Sequence, residues 1–126
     1  MQTLREFVLS YLNKHPVLYT FNDSAGLISE ILYSVGVVKE KRLTIDVLFD
    51  SIEKSGRWNQ MSFGSIAFYG ESCSNLGRVG FLLDNHLILT TDASTKGLCV
   101  SIKPLKWRSD LVAVIKPDYS SIGWIT

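Results

Sequence analysis

The stretch Gly77-Arg78-Val79-Gly80-Phe81-Leu82-Leu83-Asp84-Asn85-His86-Leu87-Ile88-Leu89-Thr90-Thr91 carries two β-prone runs separated by turn residues. Val79 to Leu83 and Leu87 to Thr91 are aliphatic, aromatic and β-branched, and Asp84-Asn85 between them predicts a hairpin turn. Outward from this hairpin, Ile66 to Tyr69 precedes it, and Leu98 to Ile102 and Leu111 to Lys116 follow, with Pro104 and Pro117 punctuating the ends. Before Ser65 the period changes from two to that of a helix. Leu4, Phe7, Val8, Tyr11 and Leu12 form one stripe, ending before His15-Pro16. Leu27, Ile28, Ile31, Leu32 and Val35 form a second, with Asn22, Asp23 and Ser24 as N-cap candidates and Gly36 where a C′ glycine belongs. Ile45, Leu48, Phe49 and Ile52 form a third, which Thr44 can cap and Gly56 can end. Helices first and strands afterwards predict an α+β domain, with the helices packed on one face of a curled antiparallel sheet of about five strands.

The composition restricts what such a domain does. The chain has 126 residues, 46% hydrophobic and 20% charged, which suits one globular domain with a real core. Thirteen basic side chains face twelve acidic ones, a net charge of +1. That disfavours nucleic-acid binding driven by global charge. No apolar run approaches the ~20 residues that cross a bilayer, and Arg5 and Glu6 interrupt the N-terminus, so neither membrane insertion nor a signal peptide is expected. Synthesis in a cytoplasm is the corresponding expectation. Cys73 and Cys99 have no metal-ligand spacing and are expected as thiols. With His15 and His86 equally scattered, no metal site, cofactor fingerprint or Gly-rich phosphate loop is expected. The run Lys39-Glu40-Lys41-Arg42 reads as a solvated loop, with a phosphate or acidic-partner site as the sharper alternative.

Several short motifs, in order, carry a resemblance. Asn22-Asp23-Ser24-Ala25-Gly26-Leu27-Ile28 stands where a helix would open with Asp-Cys-Ser-Gly. Phe63-Gly64-Ser65-Ile66-Ala67-Phe68-Tyr69-Gly70 stands for a Pro-Gly-Asp segment entering the first strand. Gly77-Arg78-Val79-Gly80 stands for Gly-His-Val-Gly, and the strand after Asp84-Asn85 for one bearing a third polar group. Trp107-Arg108-Ser109-Asp110-Leu111 to Pro117 resembles a closing strand. Together these pieces resemble the NlpC-type papain-like cell-wall peptidases, which many phages encode in their tail tips. The resemblance implies a papain-like fold over residues 1–117, leaving 118–126 as a C-terminal tail.

In that family a thiolate at a helix N-terminus attacks, a histidine on the facing strand is the base, and a third polar residue orients it. Here the corresponding positions are Ser24, Arg78 and Thr90, or Leu89 if the register is one residue shorter. A serine hydroxyl needs a base, and arginine stays protonated, so the resemblance implies vestigial positions and a pseudoenzyme. On structural grounds alone Ser24 suits an N-cap or first-turn position, Arg78 a strand residue reaching to water or a carboxylate, and Thr90 a strand. A rebuilt site from Cys73 with His86 or His15 is the remaining catalytic option.

The expected function is therefore a catalytically inactive structural or interaction component of a phage virion, in the tail tip or baseplate hub, with other tail proteins as partners. Ile122, Trp124 and Ile125 give the tail an apolar character, suited to anchoring a neighbour or to docking on its own domain. The alternatives are a residual cell-wall peptidase or amidase, and a non-cutting binder of peptidoglycan fragments in which Arg78 grips a stem-peptide carboxylate.

Overall fold

The computed structural model describes residues 3–14, 24–94 and 97–120. Three helices come first: α1 (Leu4–Lys14), α2 (Ser24–Ser34) and α3 (Ile45–Glu53). Six strands follow: β1 (Arg57–Trp58), β2 (Ile66–Ser72), β3 (Asn75–Leu82), β4 (Leu87–Ser94), β5 (Gly97–Pro104) and β6 (Leu111–Lys116). They form one antiparallel sheet in the order β1-β6-β2-β3-β4-β5. The α+β class and the helix-then-strand order expected from the sequence are present.

Local chemistry sets the helix ends. The Thr44 hydroxyl accepts the Val47 N–H at 3.4 Å and caps α3. Gly36, at φ 87°, ends α2: its N–H donates to the Tyr33 carbonyl at 3.0 Å and the Val37 N–H to the Leu32 carbonyl at 2.8 Å. This pair of bonds is a Schellman motif, and its left-handed residue is cheapest as glycine. Asn22 and Asp23, the other cap candidates for α2, lie outside the described residues, as do His15 and the side chains of Tyr11 and Leu12.

The alternation along the strands divides the buried residues into two layers. Ile66, Phe68, Val79, Phe81, Leu89 and Ile115 join the buried side chains of all three helices in one large core. Their neighbours in the chain, Ala67, Leu82, Ile88 and Val114, point to the opposite face, where Leu105, Trp107 and Leu111 cover them. Residues i and i+1 on opposite faces are what a pleated strand requires. Phe49 links α3 to the sheet by an edge-on contact with Phe68 at 5.0 Å between centroids.

Two expectations need correction. The sheet has six strands rather than five, because the two-residue β1 pairs Arg57 with Lys116 and Trp58 with Ile115. A two-residue strand is too short to show a period. The strand runs expected to end at Tyr69 and to resume at Val79 are longer, since β2 and β3 continue to Ser72 and from Asn75 around a tight turn. The register shifts on either side of Gly70, and a β-carbon there would collide with the Asn75 carbonyl oxygen. Glycine thus makes the bulge possible. Packing against the core also reaches Tyr119, two residues past Pro117. Tyr119 is buried in the main core and its hydroxyl donates to the Gly64 carbonyl at 2.6 Å.

Candidate functional site

Ser24 is the first residue of α2, and it is buried. Its hydroxyl oxygen accepts the Val79 N–H of β3 at 3.0 Å. The reason lies in how β3 and β4 meet. Their ladder pairs Phe81 with Leu89 and Leu82 with Ile88 and stops there. In a continued antiparallel ladder the Val79 peptide groups facing β4 would have backbone partners. Here Ser24 takes the N–H, and the Thr90 hydroxyl donates to the Val79 carbonyl at 2.8 Å. The Arg78 guanidinium donates to the Thr91 carbonyl. Three side chains thus satisfy the backbone where the two strands part. Each buried peptide group left alone would cost about 1–3 kcal/mol.

The structure therefore brings Ser24 and Thr90 together on Val79, and it sends the side chain of Arg78 elsewhere. Val79 belongs to the core beneath the helices. Arg78, its neighbour along the strand, turns to the other face, where its guanidinium lies over the Trp107 ring at 5.6 Å from the centroid. The side chain of β3 beneath the start of α2 is the isopropyl group of Val79, which neither accepts nor donates a proton. Leu89, the alternative third position, is a buried core residue.

The other candidates are separated. Cys73 is exposed in the β2–β3 turn, and His86 is exposed in the turn before β4. These turns sit at opposite ends of β3, whose eight residues span roughly 26 Å at about 3.3 Å each. Cys73 and His86 therefore do not form a dyad. His15 lies outside the described residues, and so do Ile122, Trp124 and Ile125. Among the described residues no group of His, Cys, Asp and Glu is placed to hold a metal ion. Lys41 and Arg42 lie 3.8 and 3.9 Å from the Glu30 carboxylate, as surface pairs on the α2–α3 connection. No described helix is long and apolar enough to cross a membrane.

Two other features carry charge. A cavity of about 590 Å³ opens beside β1 and the end of β6, lined by Arg57, Lys116, Asp118 and Tyr119 among others; Ser24, Arg78 and Thr90 do not line it. Burial, and then the Arg57 charge, hold the Lys116 ammonium below the ordinary lysine range. On the helix-free face Arg108 grips Asp110 through two bonds of 2.8 Å, and this pairing holds the Asp110 carboxyl below the usual range. Burial, and then the Asp110 charge, push the Tyr69 phenol up to about 12. Sequence reasoning missed the grouping of Arg78 with Trp107 and Arg108. Its signal was the alternation that puts Arg78 and Val79 on opposite faces.

No protein-family model matches the chain, and neither a curated protein nor a solved structure matches it.

Proposed function

We propose that the chain is a catalytically inert NlpC-like domain of papain-like fold, serving as a structural and interaction component of a phage virion in the tail tip or baseplate hub. The observation carrying the inert part of this reading is the Ser24–Val79 bond at 3.0 Å. A nucleophile in this family would stand at the start of the helix with a base facing it from the strand. The residue standing there is a buried hydroxyl committed to a backbone amide, and the side chain facing it is valine. A serine without a base lacks the proton acceptor that its attack needs. Three helices on one face of an antiparallel sheet, with a helix start set against a central strand, agree with the papain-like part of the reading.

The virion setting comes from the sequence resemblance, as does the expectation of tail proteins as partners. Ile122, Trp124 and Ile125 are the proposed anchors. Mass spectrometry of fractionated virions from the source of this sequence tests the setting. The chain is expected in the tail fraction at a fixed ratio to the other tail proteins, and its absence from purified particles would overturn the assignment.

A further inference from the structure

Arg57 and Lys116 are direct partners in the β1–β6 ladder. Facing residues of an antiparallel pair project to the same side of the sheet, and two like charges there oppose each other. The Lys116 ammonium registers this, since burial and then the Arg57 charge disfavour its protonated form. Among the described residues neither cation has a carboxylate within ion-pairing distance. Lys116 donates instead to the Ser62 hydroxyl at 3.1 Å, a neutral acceptor that takes one of the three ammonium donors.

A second observation falls at the same place. Both side chains line the cavity of about 590 Å³ beside β1, together with Asp118 and the hydroxyls of Ser55 and Ser120. That volume lies in the range of small-molecule sites. Asp118 is already engaged: its carboxylate accepts both the N–H and the hydroxyl of Ser120. Residues 121–126, next in the chain, include no acidic side chain. The acidic side chains outside the described residues are Asp23 and Asp92. Asp92 is in β4, three strand spacings from β6, roughly 14 Å at about 4.8 Å each. Asp23 is joined to Ser24, which is held on Val79 of β3, two spacings from β6. The two facing cations therefore border a cavity with no carboxylate assigned to either.

We propose that this cavity binds a dianionic phosphate group, free or as the monoester of a small molecule, with Arg57 and Lys116 donating to its oxygens. The charge selects phosphate. A phosphate monoester carries about −1.5 to −2 charges and three acceptor oxygens, enough for both cations, whereas one carboxylate answers only one of them. The planar arginine fork and the compact lysine charge both suit phosphate oxygens. A bound dianion would also remove the repulsion that the β1–β6 register imposes. The site goes beyond the interaction role proposed above and does not rest on it.

The test is titration of the ¹⁵N-labelled full chain with inorganic phosphate, phenyl phosphate and benzoate at matched ionic strength, following the backbone N–H resonances of Arg57 and Lys116. Both phosphates are expected to move these resonances to saturation. Tighter binding of phenyl phosphate assigns the site to a monoester, and equal binding assigns it to free phosphate. Benzoate, the same ring with one negative charge, is expected to bind roughly tenfold more weakly than phenyl phosphate. Arg57→Gln and Lys116→Gln are each expected to weaken phosphate binding roughly tenfold. Lys41→Gln, the same charge change on the α2–α3 connection, is expected to weaken it less than about twofold. Saturating phosphate should also raise the thermal midpoint of the parent and leave that of the double variant unchanged. Unmoved resonances, benzoate binding as tightly as phenyl phosphate, equal weakening by Lys41→Gln and the cavity substitutions, or an equal rise in the two midpoints would each overturn the proposal. Peptidoglycan hydrolysis by the chain would overturn the inert reading instead, and leaves these titrations unaffected.

Discussion

The Ser24 hydroxyl oxygen accepts the Val79 N–H at 3.0 Å across 55 positions of sequence, tying the first turn of α2 to β3. On the same residue the Thr90 hydroxyl donates to the carbonyl at 2.8 Å. Two hydroxyls from two different elements therefore satisfy both backbone polar groups of one residue where the β3–β4 ladder ends. Hydroxyls suit this task because one oxygen both donates and accepts, whereas a cysteine thiol does either only weakly.

Replacing Ser24 with Ala removes the acceptor from a buried N–H. The expected cost is about 1–3 kcal/mol of stability, larger than the few tenths of a typical surface change. Urea unfolding should show a lower midpoint with an unchanged slope. A midpoint equal to that of the parent would mean that the bond contributes nothing.

Thr90→Val keeps the shape and deletes the donor, so it should cost about 1 kcal/mol or more. Because both hydroxyls serve Val79, the double variant should depart from additivity by roughly 0.5 kcal/mol or more. Strict additivity would show that the two bonds act separately.

Tyr119 makes a pH-dependent contribution. Burial pushes its phenol well above the ordinary tyrosine value of 10.0, and burial then the Asp110 charge push Tyr69 to about 12. The unfolded chain ionises these groups near pH 10, so above that pH it binds fewer protons than the folded chain, and stability falls as pH rises. Their contribution is full below about pH 10 and is lost as pH climbs through about 12 for Tyr69. Tyr119→Phe should remove about 1 kcal/mol at neutral pH, from the lost bond to Gly64, and flatten the alkaline decline. Urea titrations from neutral to alkaline pH check both parts.

Much of the architecture was legible in the sequence because it rests on periodicity and end chemistry. The stripe from Leu27 to Leu32, the Thr44 cap and the left-handed Gly36 are all local signals, and each is found where the residues placed it. What was not legible depends on distant partners. β1 exists because Arg57 and Trp58 lie beside Lys116 and Ile115, and the extended β2–β3 hairpin depends on the bulge at Gly70. The reach of Tyr119 into the core depends on Gly64, whose lack of a β-carbon leaves room against the ring. At the candidate site the start of α2 and strands β3 and β4 meet at Val79. The side-chain direction of Arg78 followed from register, which the short motif Gly77-Arg78-Val79-Gly80 does not fix against α2.

Release of soluble peptides or sugars from purified peptidoglycan is the most direct probe of whether Ser24 is a tether or a nucleophile. The parent chain and Ser24→Cys should both release nothing above a buffer blank, since β3 sets Val79 against residue 24 and no base stands there among the described residues. Release by the parent that Ser24→Ala abolishes, with the variant still folded by circular dichroism, would contradict the inert reading.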